Sequence, residues 1–381
     1  MPGIVDADTH VLEPEEMWGF FDKEMYHRRP VEMRYTDPET GRSSGRWLID
    51  RSIWPHPPGK GGASSGGPPD PAIVASRDWK ARALLDINAR LEDADKMGVD
   101  VQVVFPTLFI QHLTWDSELD VALARAYNRF VAEAWKQGGD RLRWVAVLPF
   151  LNIEACIQEL RWCKEHGAVG FLARGIEGDR VLAEPYFFPV YHEASRLDMP
   201  LCIHTGPGCP AFSGVIDTRI TGPFVASRTL PIMAAQTLIS NRIPEQFPDL
   251  RIGFIETGAS WVPYVLHHVE RDWGSKKKLD VPHLGPDLFR DYRMFVACES
   301  DEDIPYLAQI IGEDHLITGT DYGHHGDQLP TIDPITGENR TRGGDTTSDL
   351  AVVGTLQARE DLSSRVVDKI LRDNPRRFYG L

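Results

Sequence analysis

Ile4-Val5-Asp6-Ala7-Asp8-Thr9-His10 is the stretch on which the reading of this chain turns. An apolar start runs directly into a short polar alternation, as at the mouth-facing end of a buried strand. Side chains along a strand alternate with period 2, so Asp8 and His10 point to one face. If the strand is central in a barrel, both groups face its open end. A carboxylate and an imidazole on one rigid strand are half of a metal site. The other half has to come from the ends of later strands.

The rest of the chain supplies such strands. Short apolar runs are expected to form eight strands at 4–8, 101–106, 144–149, 168–173, 201–204, 251–256, 294–299 and 315–321. Most are rich in Val, Ile, Leu or Phe, as strands buried on both faces require. Between them, helical spacing of apolar residues predicts helices at 79–97, 116–137, 153–165, 185–197, 227–239, 261–273 and 302–311. A final pair is expected at 362–372 and 375–379. Strand and helix in this alternation and number give an α/β fold, most simply a closed (β/α)8 TIM barrel. No linker divides the 381 residues, so one domain over 1–381 is expected.

Three connections are long: 26–77 with its Pro57-Pro58-Gly59-Lys60-Gly61-Gly62 cluster, the Gly- and Pro-rich 205–224, and the acidic, Gly-rich 322–347. Each follows the C-terminal end of a strand, where barrel enzymes build their sites. The insertion 26–77 reads as a lid or an oligomer element.

The formal net charge of -15 excludes sequence-independent nucleic-acid binding, which needs basic patches, and docking on anionic membranes. No apolar run reaches the roughly 18 residues of a membrane span. The N-terminus lacks a basic, then apolar, leader pattern, so no signal peptide is expected. Five cysteines (156, 163, 202, 209 and 298) are an odd count without zinc-finger spacing. They read as buried free thiols in a reducing compartment, the cytoplasm. Cys202 and Cys209 flank the loop after His204 and are the alternative as metal ligands, although their spacing fits no zinc pattern.

His204 ends the fifth strand, in Leu201-Cys-Ile-His204, and Asp321 ends the eighth. In a closed barrel the first and eighth strands are neighbours and the fifth lies across the lumen. Asp8, His10, His204 and Asp321 therefore converge at the top of the barrel. Alone, each is as easily a cap, a turn former or a hydrogen-bonded filler. Placed together at one end they read as ligands of one divalent ion, Zn²⁺ first and Mn²⁺ as the alternative.

The chain resembles the amidohydrolase superfamily, in the branch of aminocarboxymuconate-semialdehyde decarboxylase. The resemblance is carried by Asp6-Ala-Asp8-Thr-His10-Val-Leu-Glu13-Pro14, Arg90-Leu-Glu-Asp93-Ala-Asp-Lys-Met-Gly98-Val-Asp100-Val-Gln-Val-Val-Phe-Pro106, Leu201-Cys-Ile-His204, Thr320-Asp321, and Ile370-Leu-Arg-Asp-Asn374-Pro-Arg-Arg-Phe-Tyr-Gly380-Leu. It implies a distorted (β/α)8 barrel with one catalytic divalent metal, held by Asp8, His10, His204 and Asp321. It also implies a small-molecule substrate and a homodimer or higher homo-oligomer.

Two positions depart from the family pattern. Asp8 stands where the family often has His or Glu. Glu256, in Ile252-Gly-Phe-Ile-Glu256-Thr-Gly258, stands where the sixth strand commonly ends in a catalytic His. Glu256 is either the base that orients or deprotonates water, or a group that holds a neighbouring loop or an Arg. No lysine ends the fourth strand, so the resemblance points to a single metal. Arg174 there is either a two-pronged anchor for a substrate carboxylate or a rim salt bridge. Glu299 could support the ligands. His324 and His325, just after Asp321, could line the pocket mouth and touch substrate. His267 and His268 read as packing residues. Phe105, Phe150, Trp54 and Phe212 either line an aromatic pocket or belong to the core.

The function expected first is a metal-dependent hydrolase acting on a small organic acid, amide or ring-cleavage product, with Asp321 shuttling a proton and Glu256 serving water. The alternative is a non-oxidative decarboxylase of an aromatic or enoic acid using the same metal. A catalytically inactive binding barrel is the third reading.

Overall fold

The computed structural model describes residues 3–381 apart from 39–40, 42, 58, 63–65, 72, 222, 276–283, 325–330, 333–338 and 341–351. Eight strands make one parallel sheet, hydrogen-bonded in chain order: β1 (Val5–Val11), β2 (Val101–Pro106), β3 (Leu142–Ala146), β4 (Ala168–Ala173), β5 (Leu201–His204), β6 (Ile252–Ile255), β7 (Met294–Ala297) and β8 (Leu316–Ile317). Helices lie between them, giving the expected distorted (β/α)8 barrel. Every residue of β1 is buried, including Asp6, Asp8 and His10. That is the consequence of a strand covered on both faces.

The seam between β8 and β1 closes through the backbone beyond β8. Ala7 N donates to Thr318 O (3.2 Å), Asp321 N to Asp8 O (3.0 Å) and His10 N to Tyr322 O (2.6 Å). Asp6 clamps the same seam, accepting from Thr320 N (2.9 Å) and Thr320 Oγ1 (2.6 Å). Gly319 is required there, because a Cβ at that position would sit 2.3 Å from Asp8 Cβ. The eighth strand is thus shorter than the expected 315–321. Its end abandons ladder geometry to pass tightly behind Asp8, and Asp321 itself has φ +59°.

The first strand runs further than 4–8, carrying Asp8 and His10 inside the ladder with β2. The predicted helix 79–97 is two helices. Arg77–Arg82 is capped by Ser76, which accepts from Trp79 N, and Ile87–Met97 by Asp86, which accepts from Ala89 N. A capping carboxylate in mid-segment restarts the helix that periodicity alone would continue. Gly98 ends it at φ +72°, as a left-handed cap. From this second helix the fully buried Arg90 reaches the site strand. It donates to His10 O (3.0 Å), Thr9 Oγ1 (2.9 Å) and Gln102 Oε1 (2.8 Å).

The insertion read as a Pro- and Gly-rich connection contains a three-stranded antiparallel sheet, Val31–Thr36, Ser43–Ile49 and Ser52–Trp54. Trp47 and Ile49 bury its inner face, with Trp47 edge-on to Trp18 at 5.5 Å. Beyond the sheet, Gly61 N donates to Ile216 O (3.0 Å) and Thr218 N to Gly59 O (3.0 Å). These bonds seat this stretch against the loop that follows β5. Most of 322–347 lies outside the described residues. Among the described residues, no helix is long and apolar enough to cross a membrane, and all five cysteines are free and buried.

Candidate metal centre and active site

β1 and β5 deliver two imidazoles whose orientation is fixed from behind. His10 Nδ1 lies 3.0 Å from Pro106 O and His204 Nδ1 2.8 Å from Thr205 O. A carbonyl only accepts, so each Nδ1 carries the proton and donates. Each Nε2 therefore points into the barrel mouth, where the neutral ring offers a lone pair. Asp8 Oδ1 sits between them, 3.4 Å from His10 Nε2 and 3.5 Å from His204 Nε2. Glu256 Oε2, from the end of β6, is 3.3 Å from His204 Nε2 and 3.8 Å from His10 Nε2. Asp321 Oδ1 is 3.4 Å from His10 Nε2.

These are ligand-type atoms gathered without partners of the usual kind. Asp8 Oδ1, His10 Nε2, His204 Nε2 and Glu256 Oε2 are buried and make no hydrogen bond among the described residues. Each orphaned buried polar atom costs about 1–3 kcal/mol. Two overlapping groups, Asp8–His10–His204–Glu256 and His10–Glu256–Asp321–His324, hold such atoms within 4.8 Å of one another. A divalent cation at their meeting point satisfies the atoms together, and mixed imidazole and carboxylate donors suit Zn²⁺ or Mn²⁺. Both Glu256 and Asp321 take left-handed backbone, φ +54° and +59°. Non-glycine residues are held there only when the surroundings over-determine them, as happens at functional sites.

The titration of the cluster has the same origin. Burial raises the Asp8 carboxyl, and burial with the neighbouring Asp321 charge raises Glu256 to about 8. Burial lowers His10, with His324 adding to the effect. His204 rises to about 9 against burial, because Asp8 and Glu256 favour its cation. His324 rises to about 9 against burial through Asp321, whose Oδ1 is 2.7 Å from its Nδ1. Crowded carboxylates without a cation keep protons among them.

The cluster opens on one side. Side chains of Asp8, His10 and His204 are at most 4% exposed, whereas Glu256 and Asp321 are 22% and 17% exposed. His324 closes over His10, ring on ring at 3.7 Å, and its Nε2 meets Thr107 Oγ1 at 3.0 Å. Phe105 floors the site, 5.1 Å from the His204 ring.

The structure thus brings Asp8, His10, His204, Glu256, Asp321 and His324 together, and does not bring Arg174 to them. The Arg174 guanidinium pairs with Glu177 at Nε (2.8 Å) and Nη2, and donates from Nη1 to Gln111 O (2.6 Å). His325 lies outside the described residues. His267 and His268 sit on the outer helix Val262–Ser275. Phe150 packs edge-on against Phe187, and Trp54 lies tilted over His56 at 4.1 Å.

The sequence reading passed over Arg228. It is the only charged residue of the helix Pro223–Ser240, a visible signal in an otherwise apolar and small-residue run. It pairs with Glu299. Although burial opposes its charge, Glu299, Glu256 and Asp321 together hold the guanidinium firmly cationic. Its positive charge is felt at Glu256 and Asp321.

The amidohydrolase family model matches residues 5–381, and the chain belongs to the amidohydrolase family of enzymes. Within it, the chain is 24% identical over 244 residues to 2-amino-3-carboxymuconate-6-semialdehyde decarboxylase of Dictyostelium discoideum, covering 62% of this chain and 66% of that protein. It is 28% identical over 204 residues to gamma-resorcylate decarboxylase of Rhizobium radiobacter, covering 50% of this chain and 62% of that one. The matches thus span less than two thirds of either relative. A solved structure of 5-carboxyvanillate decarboxylase from Novosphingobium aromaticivorans, complexed with manganese and a nitrobenzoic acid, superposes with a TM-score of 0.60 at 20% identity. That match covers 82% of this chain and 85% of the other. Both of these curated relatives are decarboxylases, the alternative and not the hydrolase expected first.

Proposed function

We propose that this protein is a divalent-metal-dependent, non-oxidative decarboxylase of a small aromatic or enoic acid. The observation that carries the reading is the convergence of Asp8 Oδ1, His10 Nε2, His204 Nε2 and Glu256 Oε2, buried and without hydrogen-bond partners, beside Asp321. Asp8, His10, His204 and Asp321 would hold the ion, with Glu256 at its open side. When bound, the ion supplies positive charge that fixes a substrate carboxylate and an adjacent oxygen and offsets charge built up in the reaction. Zn²⁺ and Mn²⁺ both suit the donors.

The chain's own residues do the rest. Arg228 meets the anionic substrate at the open side of the cluster. Loss of CO₂ breaks one C–C bond and leaves an electron pair on carbon, which must take up a proton. Asp321, hydrogen-bonded to His324 at 2.7 Å, holds that proton at the mouth. Phe105, fully buried, backs the His204 ring and holds it in place. The 59–61 stretch, seated on the loop after β5, serves as a lid that excludes water.

The test is to load purified protein with Mn²⁺ or Zn²⁺ and present hydroxybenzoic acids and enoic diacids. Stoichiometric CO₂ release, abolished by a chelator and restored by the ion, is the expected result. Oxygen-18 from labelled water appearing in a product without CO₂ release would assign hydrolysis or hydration instead.

A further inference from the structure

The insertion sheet has two edge strands, and the longer is Val31–Thr36. Among the described residues it is hydrogen-bonded as a strand to Ser43–Ile49 alone. Five of its six residues are exposed. Residues opposed across an antiparallel pair share a face, so Val31, Leu48 and Ile53 form a row across the outer face of the sheet. Val31 is 49% exposed, Met33 39% and Leu48 37%. The other face carries the buried Trp47 and Ile49. An open edge beside an exposed apolar row is a template for another strand.

The order of charges selects which strand. Around Met33 the sequence is chemically palindromic: Glu32 precedes it and Arg34 follows, with Val31 and Tyr35 next outward. We propose that this edge pairs antiparallel with the same edge of a second copy, with Met33 on the twofold axis. Glu32 then opposes the partner's Arg34, Arg34 opposes the partner's Glu32, and Val31 opposes the partner's Tyr35. In a single chain Arg34 already lies 2.7 Å from Glu32. Across the axis the two pairs become one alternating square of charge. Parallel pairing would set Glu32 against the partner's Glu32, and like charges directly opposed are destabilising. An isologous contact of this kind closes as a dimer and does not propagate into a fibre. Each three-stranded sheet becomes half of a six-stranded one, and the row Ile53, Leu48 and Val31 ends on the partner's Tyr35. The contact is short, so association depends on protein concentration in the ordinary range.

The experiment uses the full chain by sedimentation velocity over a concentration series, together with single added cysteines. The native thiols are buried. Met33→Cys places two thiols directly opposite across the axis, where Cα atoms of an antiparallel pair are about 4.5–5.5 Å apart, within disulfide reach. Tyr35→Cys places them four residues apart along the strands, roughly 13 Å, and out of reach. The expected result is a concentration-dependent dimer that Met33→Cys locks covalently under mild oxidation while Tyr35→Cys does not. Glu32→Arg should weaken the dimer by about 10-fold, from two lost pairs of up to roughly 1 kcal/mol each. The double variant Glu32→Arg with Arg34→Glu should restore it. A monomer at every concentration, equal cross-linking of the two cysteine variants, or no recovery in the double variant would overturn the proposal. None of these readouts depends on metal or turnover, so the dimer stands or falls apart from the proposed reaction.

Discussion

Two buried charge clusters sit on the same rim of the barrel and are built on opposite terms. After β4, Arg174 and Glu177 satisfy each other: Glu177 accepts from the Arg174 backbone N (2.7 Å) and guanidinium, and the remaining donor goes to Gln111 O. At the ends of β1, β5 and β6, four ligand-type atoms point at one another with no hydrogen bond among the described residues. The first arrangement is complete and holds two loops in place. The second is incomplete by itself, and its incompleteness is what a bound ion and a substrate would use. Whether buried charge belongs to the fold or to the chemistry is decided by which atoms remain unsatisfied.

Substitutions should separate the two clusters sharply. The largest effect is expected at His204→Ala, where bound ion and activity vanish together while far-UV circular dichroism stays that of the folded barrel. Full ion content by elemental analysis in this variant would remove His204 from the site. Next, Glu256→Gln should retain the ion and lose about 10²–10⁴-fold in turnover, the usual cost of removing a positioned acid or base. Unchanged turnover would make Glu256 a structural residue. In the other cluster, Glu177→Ala leaves a buried guanidinium without its carboxylate and should cost about 3–5 kcal/mol in denaturant unfolding. Its ion content should stay at the wild-type level, and a loss of ion would show that the two clusters are one.

A smaller effect separates the two arginines. Arg228→Gln should raise KM for a carboxylate substrate by roughly 10- to 100-fold, since a hydrogen bond to a charged group contributes about 1.5–3 kcal/mol. A KM shift seen at Arg174→Gln and not at Arg228→Gln would restore Arg174 as the anchor. The smallest effect is one of pH. Burial, helped by Arg174, holds His112 neutral down to about 3. In the unfolded chain an ordinary His takes up its proton near 6.5. Below that pH the unfolded state binds more protons than the native one, so stability falls as pH falls, by about 1.4 kcal/mol per pH unit. Other groups titrate in the same range, so the effect is read as a difference: from pH 6 to 5 the stability of wild type relative to His112→Asn should fall by about that amount per unit. An unchanged slope in that variant would assign the acid sensitivity to other groups.

Much of this was legible before any coordinates. Period-2 direction placed Asp8 and His10 on one face, and short apolar runs fixed the number and order of strands. What escaped depended on contacts far apart in sequence. The insertion sheet pairs Val31–Thr36 with Ser43–Ile49 across a Pro- and Gly-bearing turn, and its exposed strand alternates too weakly to announce itself. Asp86 interrupts a helix that apolar spacing alone would carry through. Glu177 lies three residues from Arg174, yet nothing local says whether an Arg will turn to its neighbour or to a ligand. Arg228 was visible as a lone charge on an apolar helix, but its pairing with Glu299 is tertiary information.

The seam that closes the barrel also sets a timetable. Asp6 and Thr320 are joined by hydrogen bonds across 314 residues of chain, and Asp8 meets the Asp321 amide in the same stitch. During synthesis β1 emerges 314 residues before its closing neighbour, so the ligand cluster cannot assemble before that neighbour is made. Contacts of such long separation form late in folding. Ion capture at this mouth would therefore act as a completion mark: only a chain that has been made and closed to its final strand presents all the ligands together.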